Sequence, residues 1–298
     1  MKFEKSLELL KNESHLIDGW SGTLFGGGAS VRNFAMPTYF KNLAAWLPSR
    51  LAAKKAAFTL AEVLITLSII GVVAAITLPT LIQNYQKTVW VNQLKKTYSS
   101  LNEGFKQIVA SEGCTTLECA DISRDSHGFI DFAKVKTKEK FVKTFKLENV
   151  YVDGVPDNSI YNYKIKTLDG GDKDSISLSG PVDGLVGTTP NGEIIYFGGI
   201  LFSDEILVDI NGLKSPNTLG RDVFAFSYFD FNDTVMVTPI FSKKWQEHFE
   251  PLGMGFSSEE ERIQKINYSC SVTNNSGYLA ESMPCAEKII MDGWKMNY

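Results

Sequence analysis

Four groups of residues in this 298-residue chain have types and spacing that could do chemistry. The first is a single carboxylate: Glu62 is the only ionisable residue between Phe58 and Ile82. A carboxylate is expensive at the centre of a bilayer and cheaper near an end. It is favoured in the first turn of a helix, where the backbone N–H groups carry partial positive charge. It could also have a cationic partner, because a cut between Ala57 and Phe58 would create an α-amino group four residues away. The second group is the four cysteines, Cys114, Cys119, Cys270 and Cys285, all beyond the apolar run. An even count in an exported region points to disulfides, with free buried thiols as the alternative, and four cysteines allow three pairings. The local pairs Cys114–Cys119 and Cys270–Cys285 close the least loop. Neither pair has a histidine or a third cysteine at zinc-ligand spacing. The third group, Asp209, Asn211 and Asp222 in "DINGLKSPNTLGRDVFAF", offers oxygen donors suited to Ca²⁺. The spacing is not that of an EF-hand, and Asn-Gly and Pro-Asn are first of all turn chemistry. The fourth group is His15, His127 and His248, which lie in unrelated stretches and match no zincin, nucleophile-elbow or phosphate-loop pattern. No catalytic residue, metal or other cofactor is assigned.

The elements that must position these residues follow from pattern. Phe58–Ile82 spans twenty-five residues, about 37 Å as a helix, enough to cross a membrane. Beyond it, Tyr85, Val89, Leu94, Tyr98, Leu101, Phe105 and Ile108 predict one buried face with polar residues between. No strong breaker intervenes before "SEGC" at 111–114, so one helix of about fifty residues is expected, apolar all round and then amphipathic. "DFAKVKTKEKFVKTFKL" (131–147) reads as a short amphipathic helix. From 158 onward, "SIYNYKIKTL", "EIIYFGG", "EILVDI", "DVFAFSYF" and "TVMVTPIF" alternate with Gly, Asn, Asp and Pro turns and predict a meandering antiparallel sheet. The tail 242–298 reads as irregular, with one short helix at "SSEEERIQKI".

Charge is placed unevenly. The chain carries −4 overall, while residues 36–57 hold Lys41, Arg50, Lys54 and Lys55 and no acid, and residues 58–298 carry −8. Basic before the apolar run and acidic after it predicts a cytoplasmic N-terminus and an exported C-terminal bulk. An acidic bulk also argues against nucleic acid as a partner. The mean hydropathy of −0.07 is that of an ordinary folded protein.

The stretch "KKAAFTLAEVLITLSIIGVVAAITLP" resembles the N-terminal signal of the type IV pilin and type II secretion pseudopilin family. Cleavage context, Phe, Glu, Gly and Pro all fall in register over about thirty residues. The resemblance implies cleavage by a prepilin peptidase between Ala57 and Phe58, methylation of the Phe58 amine, and assembly roles for Glu62, Gly71 and Pro79. Ala57 departs from the usual Gly before the cut. A 57-residue leader is long for the family, whereas a start at Met36 would leave 22 residues.

The expectations are therefore an α+β, pilin-like fold whose long N-terminal helix packs on a mainly antiparallel sheet. Its parts are a cytoplasmic leader (1–57), a membrane-spanning half-helix (58–82), an amphipathic half (83–112) and an exported α+β domain (113–298). The function implied is that of a non-enzymatic filament subunit of a type II secretion pseudopilus or a type IV pilus. Its partners would be prepilin peptidase, identical or related subunits and an inner-membrane assembly platform. The rival is a signal-anchored exported binding or hydrolytic domain that is not assembled.

Overall fold

A computed structural model describes residues 58–124, 130–152, 156, 159–161, 164–170, 176–177, 184–198, 204–273 and 282–298. The expected leader 1–57, with Ala57, Met36 and His15, and His127 lie outside the described residues. The chain divides into two compact units, Met1–Ile65 and Thr66–Tyr298.

Helix α1 runs Leu60–Ala110, 51 residues, as the pattern predicts. It continues through Pro79, which lacks an N–H for the helical ladder. Nearby, Thr77 Oγ1 donates to the Val73 carbonyl and Thr80 Oγ1 to that of Thr77, both at 2.9 Å. The helix ends where Gly113 takes a left-handed φ of 74° and Cys114 N–H reaches back to the Val109 carbonyl at 3.1 Å. Glycine adopts that conformation without a Cβ penalty, which is why it closes helices.

Burial on α1 starts at Val91 and continues through Leu94, Thr97, Leu101, Phe105 and Ile108. The expected stripe began at Tyr85, and there it is wrong: Tyr85 is 69% exposed. At that level Lys87, Thr88 and Val91 line a groove with residues 294–297.

Beneath α1 lies a six-stranded antiparallel sheet in the order β1 (Glu148–Val152), β4 (Gly184–Thr188), β5 (Ile194–Gly198), β6 (Glu205–Asp209), β7 (Val223–Phe231), β8 (Thr234–Pro239). Side chains alternate across it with the strict period of two. Ile195, Phe197, Ile206, Val208, Phe224 and Phe226 join the core under α1 and α2 (Val135–Phe145). Ile194, Tyr196, Leu207, Val223, Ala225 and Phe229 join a second core with Trp245 and Phe249 of helix α3 (Lys243–Phe249). Both faces are covered, which is why these strands read as near-continuous apolar runs. Asn232 and Asp233, with φ of 48° and 60°, form the two-residue turn joining β7 to β8.

The packing centres on Phe105. Its ring lies 4.9 Å from that of Tyr228 and 5.5 Å, edge-on, from that of Phe141. Gly104 lets α2 approach: a Cβ there would fall 2.3 Å from Phe145 Cε1.

Two expectations are corrected. The run 159–168 is not one strand: 159–161 is bend and turn, and Lys164–Ile165 (β2) pairs with Ile176–Ser177 (β3) in a separate small sheet. Tyr161 is drawn inward instead, its hydroxyl 2.7 Å from Thr188 Oγ1. Nor is the tail irregular. Besides the expected helix, α4 (Glu259–Ser269), it forms α3, a 3₁₀ turn (Glu250–Leu252) and α5 (Cys285–Met291). Ser242 caps α3 by accepting from Trp245 N–H, and Ser258 caps α4 by accepting from Glu261 N–H. Arg262, 2% exposed, ties these helices together. It grips Glu259 through two 2.9 Å bonds and donates to the Phe241 carbonyl at 2.5 Å and to Glu287 Oε1 at 3.2 Å.

Because burial begins only at Val91, a truncated chain beginning at Gln83 should be soluble and melt cooperatively by circular dichroism; an aggregated or molten product would contradict this. In that background Phe105→Ala should lower the unfolding free energy by about 3–5 kcal/mol in urea titration, as for other buried phenylalanines.

Candidate functional site

The candidate site is the start of α1. Thr59 and Glu62 form a reciprocal cap of the S/T-x-x-E type. The Thr59 backbone N–H and its hydroxyl each donate to Glu62 Oε2 at 2.8 Å, while Glu62 N–H donates back to Thr59 Oγ1 at 3.2 Å. Two otherwise orphaned N–H groups at the helix end are thereby satisfied. Glu62 thus has a local partner within the single chain. Sequence reasoning passed over Thr59, although the spacing Thr-Leu-Ala-Glu before an apolar run is the signal for this cap.

From that cap to Ile82 the helix is exposed among the described residues. Fourteen large apolar side chains from Phe58 to Ile82 are exposed, and the most apolar stretch of α1 has none of its residues buried. At about 1.5–3 kcal/mol for each large side chain, leaving them in water forgoes roughly 20–40 kcal/mol. This is the one helix among the described residues that is long and apolar enough to cross a membrane. Gly71 sits within it with nothing inside 4 Å of the place a Cβ would occupy.

The remaining sequence-selected residues go elsewhere. Cys114 is bonded to Cys119 across the turn after α1, with Cα atoms 5.7 Å apart. Cys270 is bonded to Cys285, joining the end of α4 to the start of α5, with Cα atoms 5.3 Å apart. The first loop is pinned by Asp230 of β7, which accepts from Leu117 N–H at 2.8 Å and Glu118 N–H at 3.1 Å; no sequence signal marked Asp230.

Asp209, Asn211 and Asp222 do come together, as a hydrogen-bonded loop. Asp222 accepts from Asn217 N–H at 2.9 Å, Thr218 N–H at 2.7 Å and Asn211 Nδ2 at 3.0 Å. Burial pushes the Asp222 carboxyl up from its usual range, and these donors pull against that shift. Among the described residues no cluster of three or more His, Cys, Asp or Glu is placed to hold a metal. His248 stacks face to face on Phe229 at 4.0 Å, and burial lowers its pKa from the ordinary value.

Comparison with known families divides the chain at nearly the same place. Residues 80–298 match the model of a family of unknown function (DUF6613). The chain belongs to that family. Residues 52–78 match the prokaryotic N-terminal methylation motif, the prepilin-type cleavage and methylation signature of type IV pilins and pseudopilins. That match covers Ala57, Phe58, Glu62 and Gly71, whereas Pro79 falls in neither matched range. No curated protein and no solved structure matches the chain. In this member of the family, a pilin-type signal therefore precedes an α+β, pilin-like fold.

Thr59→Ala should fray the first turn of α1 without unfolding the rest. In detergent micelles, amide exchange at Glu62 should quicken by about fivefold, as for loss of an N-cap of ordinary strength. Thr59→Ser should restore it, and unchanged exchange in Thr59→Ala would show that the cap does not hold the helix start.

Proposed function

We propose that this protein is a pilin-like structural subunit, anchored by a single pass in the inner membrane, matured by prepilin peptidase and then assembled through α1 into a filament. The observation that carries this reading is the exposed apolar run Phe58–Ile82, headed by a capped carboxylate in the register of the methylation motif. In the precursor, lipid covers the run, with residues 1–57 cytoplasmic and the α+β domain exported. In the filament, the same surface is covered by α1 helices of identical or related subunits on an inner-membrane platform. The filament class is the type II secretion pseudopilus or type IV pilus.

Cleavage between Ala57 and Phe58 creates a cation at the positive end of a helix, an unfavourable position for it. Glu62 is the one side chain in the apolar run able to balance it. Within one chain that carboxylate already serves Thr59 through Oε2. A neighbour displaced along the axis by about one turn brings its own amino terminus to the remaining oxygen. In this reading Gly71, which none of the described residues crowds, is the place where a second helix approaches closely. The protein carries no chemistry of its own; the covalent steps belong to the peptidase.

In a peptidase-competent host, intact mass of the membrane-extracted protein should correspond to a chain beginning at Phe58 with a methylated amine. A chain retaining Lys54 or Lys55 would overturn the assignment. Glu62→Leu and Glu62→Gln should insert and be cleaved like the wild type yet lose most filament yield. Wild-type assembly in both variants would leave Glu62 as a helix cap alone.

A further inference from the structure

The −8 charge of residues 58–298 is not spread evenly. α2 and its C-cap hold Lys136, Lys138, Lys140, Lys143 and Lys146 against one acid, Glu139. Lys140 is used within the chain, 2.9 Å from Glu112. The other four lysines have no carboxylate at ion-pair distance among the described residues. Phe141 and Phe145 turn one side of α2 into the core. Lys136 and Lys143, seven residues apart, therefore fall together on the solvent side, near Val135, which is 67% exposed. The opposite charge collects in a cleft of about 460 Å³ toward the end of β7. Glu118, Asp121, Asp204 and Asp230 line it, beside the stacked rings of Phe229 and His248. Its guanidinium, that of Arg124, pairs with Asp204 at 3.3 Å, and Asp230 takes neutral backbone N–H groups. Four carboxylates against one guanidinium leave the cleft at −3. Glu118 and Asp121 are exposed and have no cationic partner among the described residues.

We infer that the basic face of α2 docks on the acidic cleft of a second copy of the chain, with Lys136 and Lys143 meeting Glu118 and Asp121 of that copy. The inference rests on the filament reading proposed above and adds to it a subunit contact outside the apolar run. Charge complementarity selects the occupant, because the same chain carries both an unpartnered basic helix face and a cleft of opposite sign. Lipid does not suit the face: α2 packs beside Gly104 and Phe105, more than twenty residues beyond Ile82, or about 30 Å along α1. Two different patches meeting make a heterologous contact, which repeats from copy to copy as an open helical polymer when the rotation does not close. That is the kind of contact a filament requires. Aromatic rings beside the carboxylates also suit a lysine, whose stem packs on apolar surface while its ammonium stays with the charges.

The test is a charge-reversal cycle on the full chain in a peptidase-competent host. Lys136→Glu with Lys143→Glu should leave insertion, cleavage and the melt of the extracted subunit unchanged. Filament yield should fall by about tenfold, because like charges then face each other across the contact. Glu118→Lys with Asp121→Asn should do the same; Asn tolerates the left-handed φ of 49° at that position. Combining all four substitutions should recover most of the yield. Wild-type yield in either double variant would overturn the inference, and that is the outcome if α2 instead serves a polyanion such as nucleic acid. No recovery in the combination would show that the two patches meet other partners and would overturn it too. Carbodiimide cross-linking of filaments grown from mixed light and heavy chains gives a second reading. It should join Lys136 or Lys143 to Glu118 or Asp121 in pairs that combine light with heavy; links confined to one isotope class would contradict the contact. A wild-type subunit that matures but never polymerises would overturn the filament reading, and this inference with it. Filaments indifferent to both reversals would remove this inference alone.

Discussion

An apolar helix surface that none of the described residues covers governs the rest of this structure. From Leu60 to Ile82, α1 carries its side chains outward on all sides, and among the described residues none shields them. The hydrophobic penalty is several times the net stability of an ordinary domain. The run therefore needs an apolar environment from outside the chain, either lipid or other helices. A start that neutralises its own orphan N–H groups, as Thr59 and Glu62 do, suits both, because a bare helix end in hydrocarbon leaves polar groups unsatisfied.

The second half of the same helix solves the opposite problem. Leu94, Leu101, Phe105 and Ile108 stack on a sheet that is itself closed on its far side by α3, so the α+β domain completes its core without the apolar run. In the proposed role of filament subunit, the protein would change surroundings from membrane to polymer while its folded domain stays intact. Separating the exposed and buried parts along one continuous helix permits that. The continuity at Pro79 matters here: the ladder loses one donor, yet the helix runs unbroken from Leu60 into the core-packing turns.

Much of this was legible in the sequence because it depends on simple periodicities. The length of α1, its end at "SEGC", and the strands β5 to β8 follow from hydrophobic pattern and turn residues alone. The presence of the methylation motif, matched over residues 52–78, was equally plain. Less legible were features that depend on distant partners. β1 is not fully buried at any position and β4 holds two glycines, so they gain strand character only by pairing with each other and, for β4, with β5. Tyr161 leaves its expected strand for a hydrogen bond to Thr188. The tail helices α3 and α5 have only seven residues each, too few for periodicity to reveal, and are held by Ser242, the Cys270–Cys285 bond and the buried fork of Arg262. At the candidate site the partner of Glu62 lies three residues away at Thr59, in the spacing of an ordinary helix cap that marks no ligand by itself.

The central claim is that Glu62 changes partner, from Thr59 within one chain to the amino terminus of Phe58 in the next. Zero-length carbodiimide cross-linking of filaments grown from an equal mixture of isotopically light and heavy chains tests this directly. The account predicts an amide joining the Phe58 amine to the Glu62 carboxylate in which half of the linked pairs combine a light peptide with a heavy one. Linked pairs that are all light or all heavy would place the contact inside a single chain and contradict it.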